Sequence, residues 1–259
     1  MCSMKPIKAV LIDLSGTLHI EDEEIPGSVQ ALETLRNCGK FNIKFVTNTT
    51  KESKRKLHSL LENLKFKIDE NEIFTSLTAA RKLIESQQLR PMLFLEPNAF
   101  EDFEGINTEN PNSVVIGLAP DMFDYENLNN AFRLLLDGAK LVGIHKAKYY
   151  KRKNGLALGP GAFISALEFS SGTTAEIVGK PSKDFFMSSI SEFNVDPEEC
   201  VMIGDDPSDD IEGAHNAGFH GILVMTGKYR KNSEKSLTKK PLLLADNFAH
   251  AVEYLLSIT

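Results

Sequence analysis

The chain has 259 residues and a formal net charge of −7, with 42% hydrophobic and 25% charged residues. This composition is typical of a soluble folded protein and excludes global disorder. The acidic balance disfavours a nucleic acid or an anionic membrane as partner. No apolar run approaches the roughly 18 residues that a membrane span requires. The first apolar run, Ala9 to Ile12, stops at Asp13, so we expect no secretory signal.

Three cysteines, Cys2, Cys38 and Cys200, have neither CxxC spacing nor an even count. This pattern excludes a disulfide framework and a zinc cluster. We interpret Cys38 and Cys200 as core thiols and Cys2 as part of a frayed terminus. Unpaired thiols fit a reducing compartment, and we therefore predict a cytoplasmic protein.

Short apolar runs alternate with longer amphipathic stretches along the chain. Strands alternating with helices predict a parallel sheet with helices on both faces. The predicted elements outside the middle of the chain are a strand at Ile7 to Leu14, a helix at Pro26 to Asn37, a strand at Phe41 to Val46, a helix at Lys51 to Leu64, a strand at Val201 to Gly204, a helix at Asp209 to Ala217 and a strand at Gly221 to Met225.

The middle of the chain repeats this alternation. Its predicted strands are Pro91 to Glu96, Ser113 to Gly117 and Lys140 to Ile144, and its predicted helices are Thr78 to Gln88, Tyr125 to Asp137 and Gly161 to Ser171. The polar, lysine-rich segment Gly227 to Lys240 is typical of a solvated connection.

Four predicted strands end in polar residues that are suited to chemistry. The residues that follow these strands are Asp13, Thr47-Asn48, Lys180 and Asp205-Asp206. In open α/β sheets, ligands bind beyond the carboxyl ends of the strands. We therefore expect a carboxylate, a hydroxyl, an ammonium and a second acidic cluster to converge there.

The spacing between these strand ends indicates an inserted domain. Asp13 and Thr47 are 34 positions apart, and Lys180 and Asp205 are 25 apart, which suits one strand–helix unit each. Thr47 and Lys180 are 133 apart. The surplus of roughly 100 residues is enough for a small α/β domain, which we expect to lie over the strand ends.

These residues resemble the four motifs of the haloacid dehalogenase (HAD) superfamily. The motifs are Asp13-Leu14-Ser15-Gly16-Thr17, Thr47-Asn48, Lys180-Pro181 and Gly204-Asp205-Asp206-Pro207-Ser208-Asp209-Asp210. The large insert is similar to the type-II cap of the NagD-like group. The resemblance implies a Rossmann-like, doubly wound parallel sheet core, formed by residues 1–77 and 179–259, and an α/β cap at 78–178. It also suggests a homodimer.

The resemblance implies a Mg²⁺-dependent phosphatase that acts through an aspartyl-phosphate on Asp13. Mg²⁺ prefers oxygen ligands, and the resemblance assigns them to Asp13, the backbone carbonyl of Ser15 and Asp205. Asp210 would bind the metal directly or through water. Asp206 and Asp209 compete with Asp210 as helix N-caps and as metal ligands.

Phosphate binding is assigned by the same resemblance. Ser15, the Thr47 hydroxyl and the Asn48 backbone amide would contact the phosphate, and Lys180 would stabilise the phosphoryl charge and hold Asp13 ionised. His145 follows a predicted cap strand and is a candidate substrate contact. The basic stretch Lys146 to Lys153 is either a solvated hairpin or an anion-recognising surface.

Ser15 departs from the pattern, because most phosphatases of this superfamily carry a second aspartate there as general acid–base. The lack of such a group typically costs 10²- to 10⁴-fold in rate. One hypothesis is a phosphatase for leaving groups that need little protonation: phosphorus–nitrogen bonds, pyrophosphate and aryl phosphates. The alternative is a phosphate-binding or regulatory module that has lost turnover. A dehalogenase is less favoured, because dehalogenation needs no metal.

Overall fold

The computed structural model describes residues 5–152 and 155–258. Cys2 and Lys153 lie outside the described residues. Contacts divide the chain into two units. The first comprises Met1–Thr47, Arg55–Phe74 and Lys180–Thr259, and the second comprises Asn48–Lys54 and Thr75–Gly179. The domain bounds given above stay a prediction.

Fourteen strands and eight α-helices are found among the described residues, besides short 3-10 and π turns. The strands are β1 Ala9–Ile12, β2 His19–Ile20, β3 Glu23–Glu24, β4 Asn42–Thr47, β5 Ile73–Thr75, β6 Pro91–Phe94, β7 Ser113–Ile116, β8 Lys140–Gly143, β9 Tyr149–Arg152, β10 Gly155–Leu158, β11 Glu176–Ile177, β12 Cys200–Gly204, β13 His220–Val224 and β14 Leu243–Ala245. The helices are α1 Ser28–Asn37, α2 Lys54–Asn63, α3 Ser76–Ser86, α4 Tyr125–Leu136, α5 Pro160–Ser171, α6 Lys183–Ser189, α7 Gly213–Ala217 and α8 Phe248–Ile258.

The first unit is built on a six-stranded sheet in the order β14-β13-β12-β1-β4-β5. The pairs β14–β13, β13–β12, β12–β1 and β1–β4 are parallel. Every residue of β1 and β12 is buried, which explains why their sequences are uninterrupted apolar runs. Parallel pairing brings the carboxyl ends of these strands to one edge of the sheet.

Helices cover both faces of this sheet. On one face Val10, Ile203 and Ile222 share a core with buried residues of α1, α2 and α8. On the other face, Gly221 lies against Ile211, in the turn before α7, and against His215, in α7. The predicted Rossmann-like, doubly wound parallel sheet is therefore confirmed.

The second unit contains a four-stranded parallel sheet in the order β11-β8-β7-β6. Helices α4 and α5 pack against one face of it, around Val114, Ile116 and Leu141. Strands β9 and β10 form a separate antiparallel pair. The predicted strands and helices of this region are confirmed, and the two interpretations of the basic stretch Lys146 to Lys153 stay predictions.

The strand before Lys180 does not belong to the six-stranded sheet. It is β11, a two-residue edge strand that pairs with β8 in the second unit. The chain returns to the first unit at Lys180, so tertiary contacts and not a shared sheet bring this lysine to the site.

Candidate active site

The site begins where three neighbouring strands of the first unit end. Ile12 pairs with Ile203 on one side and with Phe45 on the other. The next residue, Asp13, donates its backbone N–H to the Ile203 carbonyl at 2.9 Å. Because these three neighbouring strands are parallel, Asp13, Thr47 and Asp205 all lie at the same edge of the sheet.

Lys180 joins two of the predicted carboxylates. Its ammonium donates to Oδ1 of Asp13 and to Oδ1 of Asp210, each at 2.6 Å. A third bond, at 3.3 Å, reaches the carbonyl of Val46, the residue before Thr47. The Lys180 side chain is 3% exposed and both carboxylates are buried, so these ion pairs are shielded from water and salt.

Asp205 completes a cluster of three buried carboxylates. The oxygens of Asp13, Asp205 and Asp210 lie within 4.8 Å of one another. Burial raises the pKa of Asp205, and the carboxylates of Asp13 and Asp210 raise it further. Burial also raises the pKa of Asp210, although Lys180 opposes this. A single ammonium therefore balances only part of the charge of the cluster.

The pKa of the Lys180 ammonium depends on the same carboxylates. Burial alone would lower its pKa, but the carboxylates of Asp13 and Asp210 outweigh that effect and hold the pKa above its usual value. The lysine is therefore charged throughout the physiological range. Its hydrogen bond to Oδ1 aligns the Asp13 carboxylate.

The aspartates after β12 have different roles. One caps the following turn, and another belongs to the carboxylate cluster. Asp206 accepts the backbone N–H groups of Ser208 at 3.0 Å and Asp209 at 3.1 Å, and is therefore the N-cap of the turn Pro207–Glu212. Asp210 lies one turn further on and is oriented by the N–H of Asp206, at 3.0 Å from its Oδ2. Asp209 is not a member of the carboxylate cluster.

Two glycines make room for Asp205. A Cβ at Gly16 would lie 2.2 Å from its Oδ2, and one at Gly227 would lie 2.1 Å from the same atom. Both glycines have positive φ, at 98° and 52°, a conformation that costs glycine little. Any larger residue at either position would collide with the carboxylate.

The segment after β13 packs on the site, which corrects the prediction that Gly227 to Lys240 only forms a solvated connection. The Thr226 hydroxyl donates to the Gly16 carbonyl at 2.5 Å, and the Lys228 N–H donates to Asp205 Oδ2 at 2.5 Å. The Lys228 ammonium lies 3.2 Å from Asp206 Oδ2. Neighbouring protein atoms partly desolvate this exposed ammonium and would lower its pKa, but the carboxylates of Asp206, Asp13 and Asp210 raise it.

The donor set fits Mg²⁺. Three carboxylate oxygens that lie this close together, buried and incompletely balanced by one lysine, form an all-oxygen site of the kind this ion prefers. Asp13, Asp205 and Asp210 are the residues that would hold it.

The remaining predicted residues are distributed over both units. Thr47 is buried at the end of β4 and Ser15 is exposed in the loop after β1. Asn48 and His145 belong to the second unit. There His145 Nδ1 accepts the N–H of Ala147 at 3.3 Å, and its Nε2 lies 3.5 Å from the Thr50 hydroxyl.

Sequence reasoning missed three polar residues at the site. The Thr17 hydroxyl lies 3.4 Å from Asp13 Oδ2, the Lys228 N–H donates to Asp205, and the Thr226 hydroxyl donates to the Gly16 carbonyl. Thr17 could have been found, because a hydroxyl four residues after Asp13 lies in the same loop. Nothing local in the sequence marks Thr226 or Lys228, because both reach the site through a long-range contact.

Comparisons with known proteins agree with this geometry. The family model described as haloacid dehalogenase-like hydrolase matches residues 10–109, and a second, described as HAD-hydrolase-like, matches residues 177–251. Haloacid dehalogenase-like hydrolase domain-containing protein 2 of Bos taurus is 57% identical over 99% of this chain and 98% of its own. Phospholysine phosphohistidine inorganic pyrophosphate phosphatase of Xenopus laevis is 38% identical over 97% of this chain and 95% of its own.

A solved structure extends the comparison to the fold. The 4-nitrophenylphosphatase of Thermotoga maritima superimposes with a TM-score of 0.87 and 27% identity, over 95% of this chain and 97% of its own. The similarity spans almost the whole length of both chains. The buried lysine–carboxylate cluster and the full-length relatives lead to one conclusion: the chain belongs to the haloacid dehalogenase-like hydrolase family and is a phosphatase.

Proposed function

We propose that this protein is a Mg²⁺-dependent phosphatase that acts through an aspartyl-phosphate on Asp13. Its substrates are small phosphorylated molecules whose leaving group needs little protonation: phosphorus–nitrogen bonds, pyrophosphate and aryl phosphates. The observation that carries the proposal is the Lys180 ammonium, held at 2.6 Å from both Asp13 and Asp210 inside a buried cluster of three carboxylates.

The first step forms a bond between a carboxylate oxygen of Asp13 and phosphorus. The bond from phosphorus to the leaving group breaks, and the leaving group departs with the electron pair. Lys180 holds the other oxygen of Asp13 and so orients the attacking one. A bound Mg²⁺ supplies charge compensation between the carboxylate and the phosphoryl oxygens.

The second step returns the free enzyme. Water attacks phosphorus, the bond from phosphorus to Asp13 breaks with its electron pair returning to the carboxylate, and inorganic phosphate leaves with both protons of the water. Thr47 ends β4 beside this sheet edge, and we propose that its hydroxyl binds a phosphoryl oxygen. Ser15 would contribute its backbone carbonyl to the metal and its side chain to the phosphate. Asn48 and His145 remain proposed substrate contacts.

Ser15 restricts the substrates, because a serine hydroxyl does not act as a carboxylic acid near neutral pH. A poor leaving group such as an alkoxide needs a proton as the bond breaks. An aryl oxide, a phosphate or a protonated amine leaves without one. The relative from Xenopus laevis that shares this fold is named for phospholysine, phosphohistidine and inorganic pyrophosphate, which supports the same substrate class.

The alternative keeps the binding site without turnover. The observation that favours it is Ser15 itself, since the group that would deprotonate the hydrolytic water is not supplied at this position. In that case the protein binds phosphate with Mg²⁺ and serves as a regulatory module.

We further propose that it acts as a homodimer in the cytoplasm. No helix among residues 5–152 and 155–258 has the length and apolar character of a membrane span.

The deciding experiment measures phosphate release with Mg²⁺, with EDTA and with the Asp13→Asn variant. The panel contains para-nitrophenyl phosphate, pyrophosphate, imidodiphosphate, phospholysine, phosphohistidine and alkyl phosphate monoesters. We expect metal-dependent release from all but the alkyl esters, and a loss of at least about 10³-fold in Asp13→Asn.

The matched control is Asp22→Asn, since Asp22 is an exposed carboxylate outside the cluster. It should keep the wild-type rates. Phosphate binding without any release would replace the enzyme by the regulatory module. Rapid hydrolysis of alkyl esters would contradict the proposed substrate class.

A further inference from the structure

Lys228 is a second lysine at the carboxylate cluster, and its setting differs from that of Lys180. The Lys180 side chain is 3% exposed and lies between two carboxylates of the cluster. The Lys228 side chain is 64% exposed, and its ammonium contacts Asp206, the capping residue beside the cluster. One lysine is therefore part of the buried centre, and the other lies at its solvent-accessible rim.

The backbone of Lys228 fixes where this ammonium can reach. Its N–H donates to Asp205 Oδ2 at 2.5 Å, directly at a proposed metal ligand. Thr226, two residues earlier, is bonded to the Gly16 carbonyl in the loop that follows Asp13. Both bonds hold this segment against the site. The flexible side chain of Lys228 therefore starts next to Asp205.

The partner of the Lys228 ammonium is easily replaced. The contact with Asp206 is a single ion pair at 3.2 Å with an exposed lysine, and such pairs contribute little to stability. Asp206 keeps its capping bonds to Ser208 and Asp209 whether or not the lysine is present. A ligand with an anionic oxygen can therefore take over the ammonium at low cost.

The carboxylates at this rim would repel an anionic leaving group, and the Lys228 ammonium offsets that repulsion. Asp206 and Asp209 lie beside the cluster, and a substrate whose leaving group is itself anionic would meet their carboxylates. Lys180 is already bound to Asp13 and Asp210 and is too deeply buried to reach past the transferred group. Among the described residues, the exposed cation bonded at this rim is Lys228.

We infer that Lys228 is a specificity-determining residue that binds an anionic oxygen on the part of the substrate that is not transferred. The inference rests on the proposed function and deepens it. The site would then prefer diphosphate-like substrates, whose untransferred part carries anionic oxygens, over aryl monoesters, whose untransferred part carries none in the bound substrate. A charge-assisted hydrogen bond of this kind changes affinity by about tenfold or more.

Binding tests the inference without turnover. Calorimetry of the full-length protein with Mg²⁺ compares methylenediphosphonate, which is not hydrolysed, with inorganic phosphate. We expect wild type to bind the diphosphonate more tightly, Lys228→Met to reduce that preference about tenfold, and Lys228→Arg to retain it. Lys231→Met removes the same charge from an exposed position three residues away and should retain the wild-type preference.

A kinetic comparison separates the two proposals. The ratio of kcat/KM for pyrophosphate to kcat/KM for para-nitrophenyl phosphate should fall about tenfold in Lys228→Met, through KM. An unchanged ligand preference, or an equal loss in Lys231→Met, overturns the role of Lys228 even if turnover is normal. Absence of turnover with an intact, Lys228-dependent preference overturns the phosphatase mechanism and leaves the role of Lys228 standing.

Discussion

Position 15 is where a single side chain is expected to decide the chemistry. Asp13 is buried and aligned by Lys180, whereas Ser15, two residues later, is exposed in the same loop. An exposed position at the entrance to the site can accept a longer polar side chain without disturbing the core. Under the proposed mechanism, Ser15 limits the protonation of leaving groups while Asp13 and Lys180 are retained.

Replacing Ser15 by aspartate should broaden the substrate range. The new carboxyl group can protonate an alkoxide leaving group, so we expect hydrolysis of alkyl phosphate monoesters to rise by about 10²-fold or more. Hydrolysis of pyrophosphate should change much less. Initial rates on both substrates measure the effect, and Ser15→Asn is the isosteric control without acid–base chemistry. Equal rates in Ser15→Asp and Ser15→Asn would show that another group already supplies the proton.

Strand β12 illustrates what burial of a whole element does to its side chains. All five residues, Cys200–Gly204, are buried, because the strand is paired on both sides and covered on both faces. Burial, with smaller contributions from the carboxylates of Glu199 and Asp196, raises the pKa of the Cys200 thiol to about 12. The thiolate is the reactive form of cysteine, so this strand holds an inert thiol.

We therefore expect Cys200 to resist alkylation in the native protein at about pH 9, where a free thiol reacts readily. Because the folded pKa lies above the unfolded one, Cys200 stabilises the fold at lower pH. That contribution is lost as the pH rises from about 9 towards 12. Peptide mapping after iodoacetamide treatment should find Cys200 modified only after denaturation. Cys38, half-buried, is the internal comparison. Rapid native labelling of Cys200 would contradict its assigned burial.

On the scale of the whole molecule, the site depends on segments that are far apart in the chain. The first unit is assembled from three stretches, and the carboxylate cluster draws on two of them. Folding this unit brings Asp13, Asp205 and Asp210 together against their mutual repulsion, with Lys180 as partial compensation. A divalent cation that binds only the folded state therefore stabilises it.

Mg²⁺ should raise the melting temperature of the wild-type protein above its value in EDTA. A ligand at about 100 times its Kd adds about 2.7 kcal/mol, which corresponds to several degrees for a chain of this size. Asp205→Asn should melt at a higher temperature than wild type in EDTA, because one buried like charge is removed, and should lose the response to Mg²⁺. Differential scanning fluorimetry measures both. An equal rise in melting temperature with Mg²⁺ in wild type and in Asp205→Asn would show that the cation binds elsewhere. Asp22→Asn is the control and should respond like wild type.

The sequence by itself determined the local elements and the identity of the site. Apolar runs that are buried on both faces, as in β1 and β12, have no other stable place than the centre of a parallel sheet. Polar residues directly after such strands must therefore lie at its carboxyl edge. That argument predicted Asp13, Thr47 and Asp205 without any tertiary information, and the observed register agrees with it.

Only the tertiary structure decided how Lys180 reaches the site and which further residues complete it. Lys180 was predicted from the sequence, but it follows a strand of the other sheet. Lys228 lies in a polar segment that resembles an ordinary loop. Gly16 and Gly227 are required because a carboxylate 189 and 22 residues away, respectively, in the chain occupies the space of their side chains. Such contacts join positions that share no periodicity or spacing, and they form only when packing of the core brings distant segments together.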